Sequence, residues 1–405
     1  MSERPPVMQP EHVRVPALFA AGADAAAHAR PPGHYLAGGI SELLDLTRAV
    51  AAGLVVLVHA RLHTIGEISA VQAESGPLAA TLVMAVSSWG TMAVIVFFVL
   101  SGYLIGGQVL NTPDPGRRFW SRYGINRFSR LTMVTVPAVL FSVAAAYASK
   151  GLWGVSYTAK TEGCLPGPRD VIANLLYLQN VVVRPICSDG PIWSIANEAF
   201  YYALFPMLFI ALRGGTTRTR IAALAGAALL VAYGLHERFA YNGMLAYFGA
   251  WMLGAAAAYP FRTGRRGPAL AIAVVVLASL SAVSGATPTI WMGYTFAAVT
   301  AAGLLLARIR GAPAWSTRPR LRRVAHGLAA FSFSLYLFHM PVMNFARGAF
   351  GMPRAQGEVS VATVSLYAAF VALSYAAAYC AWWLFERHTP RLRNLISARV
   401  AGHLP

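Results

Sequence analysis

Ser41-Glu42-Leu43-Leu44-Asp45-Leu46-Thr47-Arg48-Ala49-Val50-Ala51-Ala52-Gly53-Leu54-Val55-Val56-Leu57-Val58-His59 is the stretch that decides the fold. Asp45, Arg48 and His59 bracket a run that is otherwise suited to lipid. Arg48 and His59 are eleven residues apart. At ~100° per residue that is about three helical turns, so both side chains lie on nearly one face. Along the axis they are separated by roughly 16 Å. Such a helix carries an arginine at one end and a titratable base near the other.

Composition extends that reading to the whole chain. Hydrophobic residues make up 57% of the 405 and charged residues only 12%, against about 25% charged in an average soluble protein. Most residues therefore have no water to face, and several apolar runs reach the ~20 residues that a helix needs to cross a bilayer. The fold class is all-α: a polytopic protein of the plasma (inner) membrane. Ten spans are predicted, at 46–62, 86–108, 131–149, 194–212, 221–236, 241–258, 268–285, 289–307, 328–346 and 361–385. Residues 1–40, rich in Pro, Ala and Gly, read as a mostly disordered cytoplasmic tail, so that the first span acts as an uncleaved signal anchor. Residues 41–390 form the membrane domain and 391–405 a short cytoplasmic tail, with no appended soluble domain.

The net charge is +18. Its distribution speaks against nucleic acid, because the basic residues are scattered between apolar spans. Arg117, Arg118, Arg122, Arg127 and Arg130 precede the third span, and further groups of arginines fall in every second loop after it. The alternate loops together hold only Arg61, Lys150, Lys160, Arg169, Arg184, Arg238, Arg347 and Arg354. The positive-inside rule then puts both termini in the cytoplasm. The segment 150–193 becomes the longest external loop, with a short helix or re-entrant piece around Leu175-Leu176-Tyr177-Leu178. Its Cys164 and Cys187 share an oxidising location, which permits a disulfide without requiring one. No CxxC is present, so a zinc or redox motif is not supported. Cys380 reads as a small buried hydrophobe.

Ionisable groups inside spans are costly and default to function. Asp45 and Arg48 are i,i+3 neighbours, which also suits a helix-end ion pair. His59 and His63 are i,i+4 neighbours, but no carboxylate pair joins them at a metal-ligand spacing, and no metal is expected. Glu198, in Trp193-Ser194-Ile195-Ala196-Asn197-Glu198-Ala199-Phe200-Tyr201-Tyr202, falls at His59's depth on a span running the other way, where a carboxylate orients an imidazole and raises its basicity. A structural contact within the bundle is the plainer alternative. Arg127 and Arg130 place two guanidinium groups on one helix edge, which suits phosphate as well as simple anchoring. His339, within Ser334-Leu335-Tyr336-Leu337-Phe338-His339-Met340-Pro341, and Glu386, closing the last span, are each open to structural readings. Ser101-Gly102 offers close helix approach, and Ser101 has no visible base or nucleophile elbow beside it.

Taken together and in this order, these stretches resemble acyltransferase family 3, the integral membrane O-acyltransferases. The opening Asp45…Arg48-x10-His59 helix, Phe97-Phe98-Val99-Leu100-Ser101-Gly102-Tyr103-Leu104-Ile105, Arg127-x-x-Arg130, Trp193-Ser194…Glu198…Phe200-Tyr201 and Ser334-Leu335-Tyr336-Leu337-x-His339-x-Pro341 carry the resemblance. Glu386-Arg387, followed here by His388-Thr389-Pro390, is a looser match to the family's Glu-Arg-Pro-like end. The resemblance implies transfer of an acyl group, commonly acetyl, from acyl-CoA as co-substrate to a hydroxyl. It implies His59, Glu198 and Arg48 as catalytic residues and Arg127 and Arg130 as ligands of the donor phosphates. Asp45, Ser101, Trp193, Tyr336 and His339 are substrate-binding candidates. The acceptor expected is a cell-surface polysaccharide or other glycan, with a secondary metabolite such as a macrolide, or a lipid-linked sugar, as the alternative. A transporter would also suit sparse intramembrane charge, but neither an inverted repeat nor paired Gly/Pro-broken helices are present.

Overall fold

The structure is a computed structural model and describes residues 36, 39–154, 165–186, 189–236, 243–259, 288–310, 319–352 and 355–401. Nearly all of the tail 1–40, the predicted span 268–285, and Cys164 and Cys187 lie outside the described residues. The helices are α1 (Ile40–Thr64), α2 (Ile68–Ser87), α3 (Gly90–Ser101), α4 (Gly107–Leu110), α5 (Arg117–Trp153), α6 (Pro168–Leu175), α7 (Trp193–Arg213), α8 (Thr217–Leu235), α9 (Met244–Ala257), α10 (Pro288–Arg310), α11 (Pro319–Ala330), α12 (Ser332–Ala349), α13 (Val361–Leu384) and α14 (Thr389–Ala401). No strand occurs among the described residues.

The chain is thus an all-α membrane protein. Among the described residues, seven helical stretches are long and apolar enough to cross a bilayer, or eight if the α11–α12 pair, bent by 56°, is one span. Nine of the ten predicted spans fall on described helices, and the tenth, 268–285, lies outside the described residues. The sixth predicted span is only the 14-residue α9, about 21 Å long against a ~30 Å hydrocarbon core. Helix α2 was not foreseen. Glu67, Gln72, Glu74 and the Gly76-Pro77 pair give its start the look of a loop, and the chain does kink there, with Gly76 at φ 88°. Past the kink its Leu78, Leu82 and Val86 are exposed, as are Leu224 and Leu229 of α8 and Val361 of α13. So broad an outward-facing apolar surface is what lipid contact requires.

Helix α1 is the hub, packed against α3, α11, α12 and α13. Left-handed Gly66 (φ 118°) ends it, and the Gly66 N–H donates to Arg61 O at 2.8 Å. Helix α5 lies against α12 and α14, and α7 against α8. Between α3 and α4 the chain makes a wide π-helical turn, Gly102–Gly106, against which α9 crosses. The crossing is possible only because two residues lack a side chain. A Cβ on Gly102 would stand 1.8 Å from Trp251 O, and one on Gly254 would stand 1.9 Å from Val99 O. π-Helical turns of this kind recur beside functional sites, and Ser101 occupies its rim.

Candidate active site

Helix α1 presents His59 to His339 of α12. His339 Nε2 and His59 Nδ1 are 2.9 Å apart, and the ring centroids are 4.9 Å apart. His339 Nδ1 lies 3.0 Å from Leu335 O. A carbonyl only accepts, so in neutral His339 the proton sits on Nδ1 and Nε2 is an acceptor. His59 Nδ1–H then donates to it. A backbone hydrogen bond to Val55 O, one turn back on α1, also holds the His59 ring, and its second nitrogen, Nε2, is left as the free lone pair. Backbone carbonyls on α12 and α1 thus select the tautomer of a base that retains partial exposure inside an apolar bundle. His63 does not converge with His59 on a shared point: its Nδ1 meets His59 O at 2.8 Å and its Nε2 meets Asn344 at 2.9 Å.

The first turn of α12 gathers the polar groups at the other end. The bend at Phe331 leaves the N–H groups of that turn without helical acceptors. Glu386 supplies one: its Oε2 accepts from Ser334 N at 3.1 Å and from Ser334 Oγ at 2.6 Å. Its Oε1 is buried with no hydrogen-bond partner. Arg48 donates to Ser332 Oγ at 3.4 Å, and Arg130, Asp45, Glu386 and Glu198 are the charges close enough to act on it. Asp45 does not form the helix-end ion pair with Arg48 that the i,i+3 spacing suggested. It turns outward to His326 Nδ1 at 2.9 Å, because α11 packs along that face of α1.

Glu198 also departs from the sequence reading. Its hydrogen-bond partners are Ser101 Oγ, which donates to Oε1 at 2.8 Å, and Tyr202 OH, one turn along α7. His59 is not among them. Depth along the membrane axis was the only coordinate the sequence offered; laterally, α12 rather than α7 lies against α1. Glu198 stands instead within electrostatic reach of Arg48 and Tyr336. Ser101 is tied in further by Trp251, whose Nε1–H donates to its Oγ at 3.1 Å. Tyr336 OH donates to Pro191 O at 3.0 Å and lies 2.8 Å from Ser194 Oγ, while its ring sits edge-on to Phe97 and 6.2 Å from His339. Trp193 belongs to an aromatic cluster behind this wall, against Phe98 and Tyr247 at 6.1 and 5.6 Å.

Arg127 and Arg130 project from α5 onto aromatic faces rather than carboxylates. The Arg127 guanidinium is 5.8 Å from the Tyr202 ring and Arg130's is 5.6 Å from the Phe333 ring. A guanidinium beside an aromatic face forms no hydrogen bond to it, so its N–H groups stay available to an anion. The structure therefore groups Arg48, Arg130 and Glu386 around the start of α12, with Arg127, Tyr202, Glu198 and Ser101 alongside. His59, His339 and Tyr336 lie further along α1 and α12. Sequence reasoning missed the His59–His339 pair, whose members are 280 residues apart. The available signal was that both fall toward the same end of their spans.

Outside the spans, Asp189 closes the loop before α7 with its side chain fully buried and neither carboxylate oxygen hydrogen-bonded. Burial pushes its carboxyl well above the usual range.

Comparison with known proteins agrees with the chemistry that this arrangement permits. The acyltransferase-domain family profile matches residues 42–383. An acyltransferase of Streptomyces mycarofaciens, MdmB, is 26% identical over 327 residues, covering 72% of this chain and 79% of its own length. No solved structure matches. A family profile running from the start of α1 to the end of α13 takes in every residue of the site except Glu386, and the chain belongs to acyltransferase family 3 as a membrane acyltransferase.

Proposed function

We propose that the protein is a multi-pass O-acyltransferase of the plasma membrane that moves an acyl group, acetyl in the first instance, from acyl-CoA to a hydroxyl of a cell-surface glycan. The observation that carries this reading is the pairing, on one helix, of a base of defined tautomer with a guanidinium that stands among Arg130, Glu386 and Glu198. His59 and Arg48 lie on one face of α1 roughly 16 Å apart. Arg127 and Arg130 take the donor phosphates on the side where the basic loops lie, which the positive-inside rule makes cytoplasmic. Arg48 has no ion-pair partner among the described residues and offers its free N–H donors to the acyl arm.

In the reaction His59 Nε2 removes the proton of the acceptor hydroxyl as its oxygen attacks the thioester carbonyl carbon. The new C–O bond forms, the C–S bond breaks, and the departing thiolate takes up the proton held by His59. His339 accepts the Nδ1–H bond throughout, so the imidazolium forms without reorientation. Glu198, held by Ser101 and Tyr202, supplies negative charge near Arg48 and Tyr336 rather than a direct contact to the base. Mass spectrometry of surface glycans from cells with and without the gene tests the acceptor. The reading expects loss of an ester-linked acyl mass from one glycan class; unchanged glycans together with loss of an acyl group from a small hydroxylated metabolite would move the acceptor to that class.

A further inference from the structure

Helix α14 follows the last long span and plays no part in the site as described so far. It packs against α5, the helix that carries Arg127 and Arg130. Its Arg393 is half-buried and lies within electrostatic reach of both. The Nε atoms of Arg393 and Arg127 are each buried with no hydrogen-bond partner, and none of the three arginines forms an ion pair among the described residues. Three guanidinium groups gathered from two helices repel one another, and burying part of each removes the water that would screen them. Glu386 is within electrostatic reach of Arg130 and Arg48, and one of its oxygens is committed to Ser334. Such a cluster costs stability as it stands, and the cost is removed when a multiply charged anion with several acceptor oxygens sits among the forks.

We infer that Arg393 of α14 is a third ligand, with Arg127 and Arg130, of a phosphoanion site, and that α14 is therefore part of the donor pocket rather than a tail. The inference rests on the donor reading above, and the ligand is the diphosphate and ribose phosphate of acyl-CoA. Anionic lipid headgroups share the same chemistry, so the experiment has to separate the two.

Purified wild type, Arg393→Ala, Arg393→Lys and Arg399→Ala are compared in neutral detergent for binding of inorganic pyrophosphate and of 3′-phospho-ADP. KM is measured in parallel for acetyl-CoA and for acetyl-pantetheine, which has no phosphate. Arg399 is exposed on the same helix and controls for lost charge. Arg393→Ala should weaken binding of both phosphate compounds by about tenfold or more, the loss of a charge-assisted bidentate contact. It should raise KM for acetyl-CoA by a similar factor while leaving acetyl-pantetheine and kcat unchanged. Arg393→Lys should recover part of the loss, and Arg399→Ala should match wild type. Wild-type affinity in Arg393→Ala, or equal losses with both thioesters, would overturn the assignment and leave α14 as packing. Displacement of pyrophosphate by phosphatidylglycerol nanodiscs but not by CoA would also overturn it, in favour of a lipid site. Failure of the wild type to use acetyl-CoA while binding pyrophosphate through Arg393 would refute the donor reading and leave the phosphoanion site standing.

Discussion

At His59 the position of one proton is held from two helices, by Val55 O on α1 and through His339 on α12. Leu335 O orients His339, His339 accepts from His59, and the nitrogen left free is Nε2. Removing the relay should therefore slow turnover without weakening substrate binding. We expect His339→Ala to lower kcat about tenfold to a hundredfold with KM near wild type, less than the ~10²–10⁴-fold that loss of a general base costs. His339→Gln, which can still accept the Nδ1–H bond, should retain more activity than the alanine variant; equal losses would mean that the tautomer is not what His339 supplies. Asp189 allows a second test at this scale. An acid whose folded pKa is raised binds its proton more tightly in the native state, so it disfavours folding increasingly as pH rises above the unfolded value near 3.8. Asp189→Asn should accordingly raise the thermal midpoint in detergent more at pH 8 than at pH 4, and a gain that did not depend on pH would contradict a buried carboxyl.

Among the elements, α12 and the α3–α9 crossing carry the most constraint. Glu386 caps the first turn of α12 and holds the carboxylate facing Arg48 and Arg130. Glu386→Gln keeps an acceptor for Ser334 but removes the charge, so it should lose activity with little loss of stability. Glu386→Ala should lose both, with roughly 1 kcal/mol or more from the cap alone. Circular dichroism melts alongside turnover separate the two effects. At the crossing, backbone meets backbone at Gly102 and Gly254, and no side-chain rotation can make room for a Cβ. Gly254→Ala should destabilise by about 1–3 kcal/mol or more and lower activity through Ser101 and Trp251. A variant as stable and active as wild type would show that the two helices do not cross this closely.

Across the whole molecule, the hydropathy of the chain marks most of the helices. Runs such as 361–385 have no alternative to lipid or a deep core. What the sequence could not hold was the lateral arrangement. Glu198 and His59 were placed at one depth, but α12 rather than α7 packs on α1, so the glutamate's partners are Ser101 and Tyr202. Arg127 and Arg130 were readable as a phosphate-suited pair. That the two guanidinium groups stand beside the Tyr202 and Phe333 rings was not, because cation–π contacts join residues with no fixed spacing. Asp45 differs from its i,i+3 reading for a related reason: the neighbour on its own helix loses to His326, which another helix brings closer. The orientation drawn from arginine counts places the α4–α5 loop in the cytoplasm. A single cysteine at Arg117 in a background without other cysteines should then resist impermeant maleimide in intact cells and react after lysis.

The central claim is that His59 is the base of a CoA-dependent acyl transfer. Purified wild type and His59→Ala, each shown to retain its helical signal and its affinity for CoA, are incubated with [14C]acetyl-CoA and a hydroxylated acceptor from the native membrane. Transfer of label to the acceptor with one free thiol released per acetyl group, reduced at least a hundredfold in His59→Ala, is the predicted result. Undiminished transfer by His59→Ala would contradict the account.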